Sequence, residues 1–146
     1  MPEMSVTELE VRWGECDPAG IVYHPAYLDW FSVARMHYLR ENGISYMETF
    51  HDNGIVLVVL EARCRYRKTV RAEDVIRVEA RMAERTRTRI KMVYRVYDQD
   101  GNLCGEGETH HAYVDEQNRA VNVAKRAPEL WALLQQLPVE KDTSSD

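Results

Sequence analysis

Two periods divide the chain. Tyr27, Trp30, Phe31, Ala34 and Tyr38 recur at steps of three and four, which predicts a helix with one buried face. Pro25 suits the first helical position with His24 as its cap, and Asn42-Gly43 supplies the stop. A short second helix is expected over 45–52, ended by Asn53-Gly54. From Ile55 onward the period becomes two. Leu60, Ala62, Cys64 and Tyr66 alternate with Glu61, Arg63, Arg65 and Arg67. Ile76, Val78, Ala80 and Met82 alternate with Arg77, Glu79 and Arg81, and Ile90, Met92, Tyr94 and Val96 with Arg89, Lys91 and Arg95. Strands with one dry and one wet face predict an antiparallel sheet. A turn falls near 72–74, Asp100-Gly101 makes a hairpin, and 103–114 returns as a strand. A weaker alternation over 5–13 predicts a first strand. Residues 127–137 read as a closing helix with Pro128 in its first turn, followed by a polar tail over 139–146.

The order is therefore strand, long helix, four or five antiparallel strands, then a C-terminal helix. That is one α+β domain over 1–138. Its strongly amphipathic helix must lie against the dry face of the sheet. An antiparallel β-sheet wrapped around one long central helix is the hotdog fold. A single such sheet leaves edges unpaired, so dimers or larger assemblies are expected.

Composition narrows the classes. At 146 residues, with 45% hydrophobic and 29% charged residues, the chain is a globular domain rather than a disordered one. No apolar run reaches the roughly 18 residues of a membrane helix. The N-terminus lacks the charged-then-apolar pattern of a signal peptide. Cys16, Cys64 and Cys104 are odd in number with no CxxC pair, which suggests reduced thiols in the cytoplasm and no zinc site. The net charge of −5 argues against nucleic acid as a partner, yet the charge is uneven. Between Arg63 and Lys91, eleven Lys/Arg face four acids, a local +7 that leaves −12 for the rest. Such a stretch suits a small polyanion, or equally the solvated faces of exposed strands.

The candidate chemistry lies in ECDPAGIVYHPAYLDWF, residues 15–31. A plain turn needs Pro18 and Gly20 but has no need of Asp17. The turn leads into a helix N-terminus, where unused N–H groups and the dipole favour developing negative charge. Asp17 also suits turn initiation, and His24 also suits a simple cap. Cys16 has no partner histidine at a useful spacing and reads as a small buried residue. Glu15 and Asp29 are spare acids, Asp29 on the helix's polar side. His110 and His111 face opposite sides of a strand, and His24, His37 and His51 are scattered, so no metal site is expected.

The run Asp17-Pro18-Ala19-Gly20-Ile21-Val22, then Tyr23-His24-Pro25 and Tyr27, resembles the 4-hydroxybenzoyl-CoA thioesterase family of hotdog acyl-CoA thioesterases. The resemblance continues through the helix, the Tyr66 strand with its Glu73-Asp74 turn and the Gly101 hairpin, to about Val123. Tyr23-His24 and Ala34-Arg35 are similar to the branch that hydrolyses short acyl-CoAs. The Asp-Pro-Ala-Gly run is similar to the aromatic branch.

The resemblance implies hydrolysis of an acyl-CoA to free acid and coenzyme A, with no cofactor beyond the substrate's own coenzyme A. Asp17 would attack or act as general base, the His24 amide would polarise the thioester carbonyl, and Gly20 would let backbone approach the acyl group. The His24 side chain would help to position substrate or water. Tyr23 and Tyr27 would line the acyl end, with Trp30 in the core. Coenzyme A contacts are implied on the basic segment, with Arg63, Arg65, Arg67, Lys68, Arg85, Arg87, Arg89 and Lys91 as candidates. A homotetramer or dimer is implied. An acyl-carrier-protein thioesterase and a non-catalytic acyl-CoA-binding protein are the alternatives. Thr69 stands where the family often has proline, and Trp13 where many members have tyrosine, so the acyl group stays open.

Overall fold

The structure is a computed structural model that describes residues 4–140; the predicted tail's residues 141–146 lie outside the described residues. Its strands are β1 (Ser5–Glu10), β2 (Val56–Tyr66), β3 (Val75–Arg85), β4 (Arg89–Tyr97) and β5 (Leu103–Val114). Its helices are α1 (Ala26–Glu41), α2 (Tyr46–Thr49), α3 (Val123–Arg126) and α4 (Pro128–Gln135). The five strands form one antiparallel sheet in the order β1-β3-β4-β5-β2. The chain leaves β1 at one edge and re-enters as β2 at the other. It must therefore cross the sheet, and α1 makes that crossing over the dry face. This is the hotdog fold.

The two periods explain the core. Ile76, Val78, Ala80 and Met82 of β3 and Ile90, Met92, Tyr94 and Val96 of β4 are buried against Tyr27, Trp30, Phe31, Ala34 and Tyr38 of α1. Phe31 stacks on Tyr94 with ring centroids 4.4 Å apart. Gly105 and Gly107 of β5 let α1 approach closely. A Cβ at Gly107 would lie 2.6 Å from the Phe31 ring and 2.3 Å from the Arg63 carbonyl. The helix stops at Asn42, with Gly43 at φ 79°.

Four local differences from the sequence reading have physical causes. The first strand ends at Glu10, and Trp13–Glu15 form a single 3-10 turn. The helix starts at Ala26, with Pro25 as its N-cap in helical conformation; the Ala26 N–H bonds the Tyr23 carbonyl at 3.0 Å. The closing helix runs Pro128–Gln135 as expected, but a short helix, Val123–Arg126, precedes it; the two are separated at Ala127, which Pro128 keeps out of the helical region at φ −141°, ψ 76°. On β2 the expected dry face is wet: Leu60 is 51% and Tyr66 49% exposed. A bulge between Val59 and Glu61 breaks its register, and the strand lies at the sheet's edge.

Alternation also missed a buried polar chain under α1. The Arg35 guanidinium donates to the Tyr94 hydroxyl at 3.1 Å, that hydroxyl meets Thr109 Oγ1 at 2.6 Å, and Thr109 meets His111 Nε2 at 2.7 Å. Burial, helped by the Arg35 charge, holds the His111 ring down at a pKa of about 3.

Candidate active site

The Asp17 loop is held from two sides. Within it, the Asp17 N–H bonds the Ile21 carbonyl and the Gly20 N–H bonds the Asp17 carbonyl, both at 2.9 Å. Gly20 takes φ 78°, which closes the turn without a Cβ penalty. The loop is fastened outward by Val22 N–H to the Val70 carbonyl (2.8 Å) and Ala72 N–H to the Gly20 carbonyl (3.3 Å). The exposed Asp17 carboxylate accepts the Ala19 N–H on Oδ1 at 2.8 Å, an Asx turn. The turn-forming role and an exposed, oriented carboxylate therefore coexist. Trp13 lies near Gly20, and its indole N–H donates to Glu73 Oε2 at 3.0 Å. Glu73 sits at φ 73°, uncommon for a residue with a side chain.

The start of α1 faces the same space. Because the Tyr23 carbonyl accepts from Ala26, the peptide between Tyr23 and His24 is held with its N–H pointing out of the helix. Among the described residues that His24 N–H has no hydrogen-bond partner. The His24 ring lies 4.7 Å from Tyr23 and 6.3 Å from Tyr66, and Tyr66 meets Tyr27 edge-on at 4.9 Å. The Tyr66 hydroxyl donates to the His24 carbonyl at 3.1 Å. Desolvation, with a smaller push from the Cys64 thiol, raises that phenol to about 12, so it keeps its proton at neutral pH.

Asp17, His24, Tyr27, Tyr66, Arg67 and Lys68 share the walls of a cavity of about 500 Å³. A second cleft of about 710 Å³, lined by Glu15, Asp17, Tyr23 and Asp29 among others, opens on the loop's other flank. Asp17 and Tyr23 stand between the two. Glu15 is more than a spare acid. It accepts the Arg12 N–H at 2.9 Å and the Trp30 indole N–H at 2.8 Å. Burial pushes its pKa up, but these bonds outweigh it and hold the carboxyl below its ordinary range. It thereby ties the loop to α1. Nothing in its spacing signals this, since Trp30 lies 15 residues on.

The basic candidates separate into two groups. Arg67 pairs with Glu106 at 3.1 Å and Lys68 with Asp98, both at the Asp17 end of the sheet. Arg65 lies opposite Glu106 in register, and Arg63 pairs with Glu61 at 2.9 Å. Arg87 and Arg89 lie at the β3–β4 hairpin; Lys91, 3.7 Å from Glu108, follows on β4. Arg89 is level with Ala112 of β5, whereas Tyr66 is level with Gly105. At ~3.3 Å per residue the two levels are roughly 23 Å apart. Within one chain the structure brings Arg67 and Lys68 to Asp17 and leaves Arg87, Arg89 and Lys91 at the far end. Arg85 is turned inward, donating to the Leu134 and Leu137 carbonyls at 2.7 and 2.5 Å, where it closes the end of α4.

Residues 11–140 match the family model of the thioesterase-like superfamily. The 4-hydroxybenzoyl-CoA thioesterase of Pseudomonas sp. (strain CBS-3) is 30% identical over 76 residues, covering 51% of this chain and 54% of that protein. The acyl-CoA thioester hydrolase YbgC of Escherichia coli O157:H7 is 22% identical over 107 residues, covering 73% and 79%. Among solved structures, a DHNA-CoA thioesterase from Staphylococcus aureus superposes with a TM-score of 0.87 at 25% identity, covering 91% of this chain and 89% of that one. The match spans the loop, the helix start and most of the sheet: the chain belongs to the thioesterase-like superfamily and is a thioester hydrolase of the hotdog acyl-CoA thioesterase type.

Proposed function

We propose that the chain hydrolyses the thioester of a short-chain or aromatic acyl-CoA, with Asp17 as nucleophile or general base and the His24 amide as oxyanion donor. One observation carries this reading: Asp17, whose carboxylate is oriented by the Ala19 N–H, and His24, whose helix-start N–H has no partner among the described residues, line the same cavity. The thioester carbonyl oxygen would lie against the His24 N–H. That donor is preset, so the negative charge developing on oxygen meets a fixed dipole rather than reorganising solvent. Either Asp17 adds to the carbonyl carbon or it takes a proton from an attacking water. In the first route the C–S bond breaks, coenzyme A leaves as the thiol and water then hydrolyses the acyl–Asp17 anhydride. In the second the water oxygen adds directly to the carbonyl carbon before the same C–S bond breaks. No cofactor is called for.

Tyr23 and Tyr27 flank this point and suit the acyl group, while Arg67 and Lys68 at the cavity suit coenzyme A phosphates. The relatives named for 4-hydroxybenzoyl-CoA and DHNA-CoA support an aromatic acyl group, and YbgC supports a broader acyl-CoA class. The assembly is a homo-oligomer, dimer or tetramer, joined along the free edge of β2, where Val56, Val59 and Leu60 are exposed. The three free thiols suit a cytoplasmic location.

Asp17→Asn preserves shape and removes basicity. On a panel of short aliphatic, long aliphatic and aromatic acyl-CoAs, its kcat is expected to fall by roughly 10²-fold or more. Wild-type rates on the asparagine variant would sink the mechanism. Faster turnover of acyl-carrier-protein thioesters than of matched acyl-CoAs would reassign the substrate, and binding without turnover would make the protein an acyl-CoA carrier.

A further inference from the structure

The oxyanion donor assigned above is a backbone group, so its aim depends on whatever fixes the first turn of α1. Four hydrogen bonds do so. The Tyr23 N–H bonds the Glu15 carbonyl at 2.8 Å, and the Ala26 N–H bonds the Tyr23 carbonyl at 3.0 Å. The His24 carbonyl accepts twice, from the Tyr27 N–H at 3.2 Å and from the Tyr66 hydroxyl at 3.1 Å. Of these, only the last comes from a side chain, and only the last comes from another strand. We infer that Tyr66 is a positioning residue for the thioesterase reaction, holding the His24 residue so that its N–H meets the oxyanion; this rests on the reading of the His24 amide given above.

The placement of Tyr66 fits that role better than a packing role. It is the last residue of β2, and its ring is about half exposed where a core tyrosine would be covered. The ring is nevertheless fixed, edge-on to Tyr27 at 4.9 Å and beside His24 at 6.3 Å. A phenol raised to about 12 stays a donor through the neutral range, so the restraint is constant there. The bond also links the oxyanion donor to β2, one of the two edge strands of the sheet.

The test is Tyr66→Phe, which removes the hydroxyl and keeps the ring. With the acyl-CoA that wild type turns over best, kcat should fall roughly fivefold to tenfold, as expected for one lost hydrogen bond, while KM stays within about twofold. The thermal midpoint should stay near that of wild type, because the hydroxyl lies at the surface. In amide NMR spectra the His24 and Tyr27 signals should shift or exchange faster, which a substrate contact alone would not produce. An unchanged kcat, or a rise in KM alone with unmoved amide signals, would overturn the inference. If wild type hydrolyses acyl-CoAs and Asp17→Asn is inactive while Tyr66→Phe is unimpaired, only this inference fails. If wild type hydrolyses none, the parent reading fails with it.

Discussion

His111 shows how one residue sets a pH limit on the whole fold. Its ring is fully buried, bonds Thr109 and lies in the field of the Arg35 charge, which has no carboxylate partner among the described residues. The folded chain keeps the ring neutral down to about pH 3, whereas the ordinary value is 6.5. Between these values the unfolded state binds more protons, so this contribution is intact above 6.5 and stability falls as pH drops toward 3. Urea unfolding at pH 7.5 and 4.5 should show the loss, and His111→Gln should remove on the order of 2 kcal/mol of the pH difference. An identical drop in both proteins would place the sensitivity elsewhere. Asp17 stands out in the sequence as an acid in a Pro-Gly turn, and in the structure its carboxylate also closes an Asx turn. Glu15 and Arg35 were not legible there, because Trp30 and Tyr94 lie 15 and 59 residues from them and leave no local spacing. His111 was not, because its burial rather than its neighbour Thr109 sets its behaviour.

At the scale of elements, α1 and β5 were readable as helix and strand but not as a fitted pair. Apolar steps of three and four located the helix, and period two located β3 and β4, because both faces of each are sorted by burial. The two glycines of β5 carry no such signal, yet they decide how close α1 lies. Gly107→Ala places a methyl group against both the Phe31 ring and the Arg63 carbonyl. It should destabilise the protein by about 1–3 kcal/mol, read as a lower urea midpoint. Equal midpoints would mean that β2 and α1 move apart freely. The parity of β2 failed for a related reason. Its bulge and its edge position put apolar residues where one chain does not cover them, and sequence alternation assumes that one chain does.

For the whole molecule, that uncovered edge is the main claim on a partner. Leu60→Lys adds a charge beside the bulge, where a flat pairing strand would have to dock. Light scattering should show a shift from oligomer to smaller species, and a wild-type mass that is already monomeric would remove the seam. The separation of Arg87 and Arg89 from Asp17 belongs to this scale as well, because the Arg89 and Tyr66 levels of the sheet lie roughly 23 Å apart within one chain. The crossing of α1 has one more consequence. The segment that leaves β1 carries Asp17, is fastened to the β2–β3 connection at Val70 and Ala72, and delivers the helix start to Tyr66 on β2. The carboxylate and the amide are thus strung between the two margins of the sheet, like a span between two piers. With Asp17 and the His24 amide in the roles proposed above, fraying at either margin would slacken the same span and lower turnover.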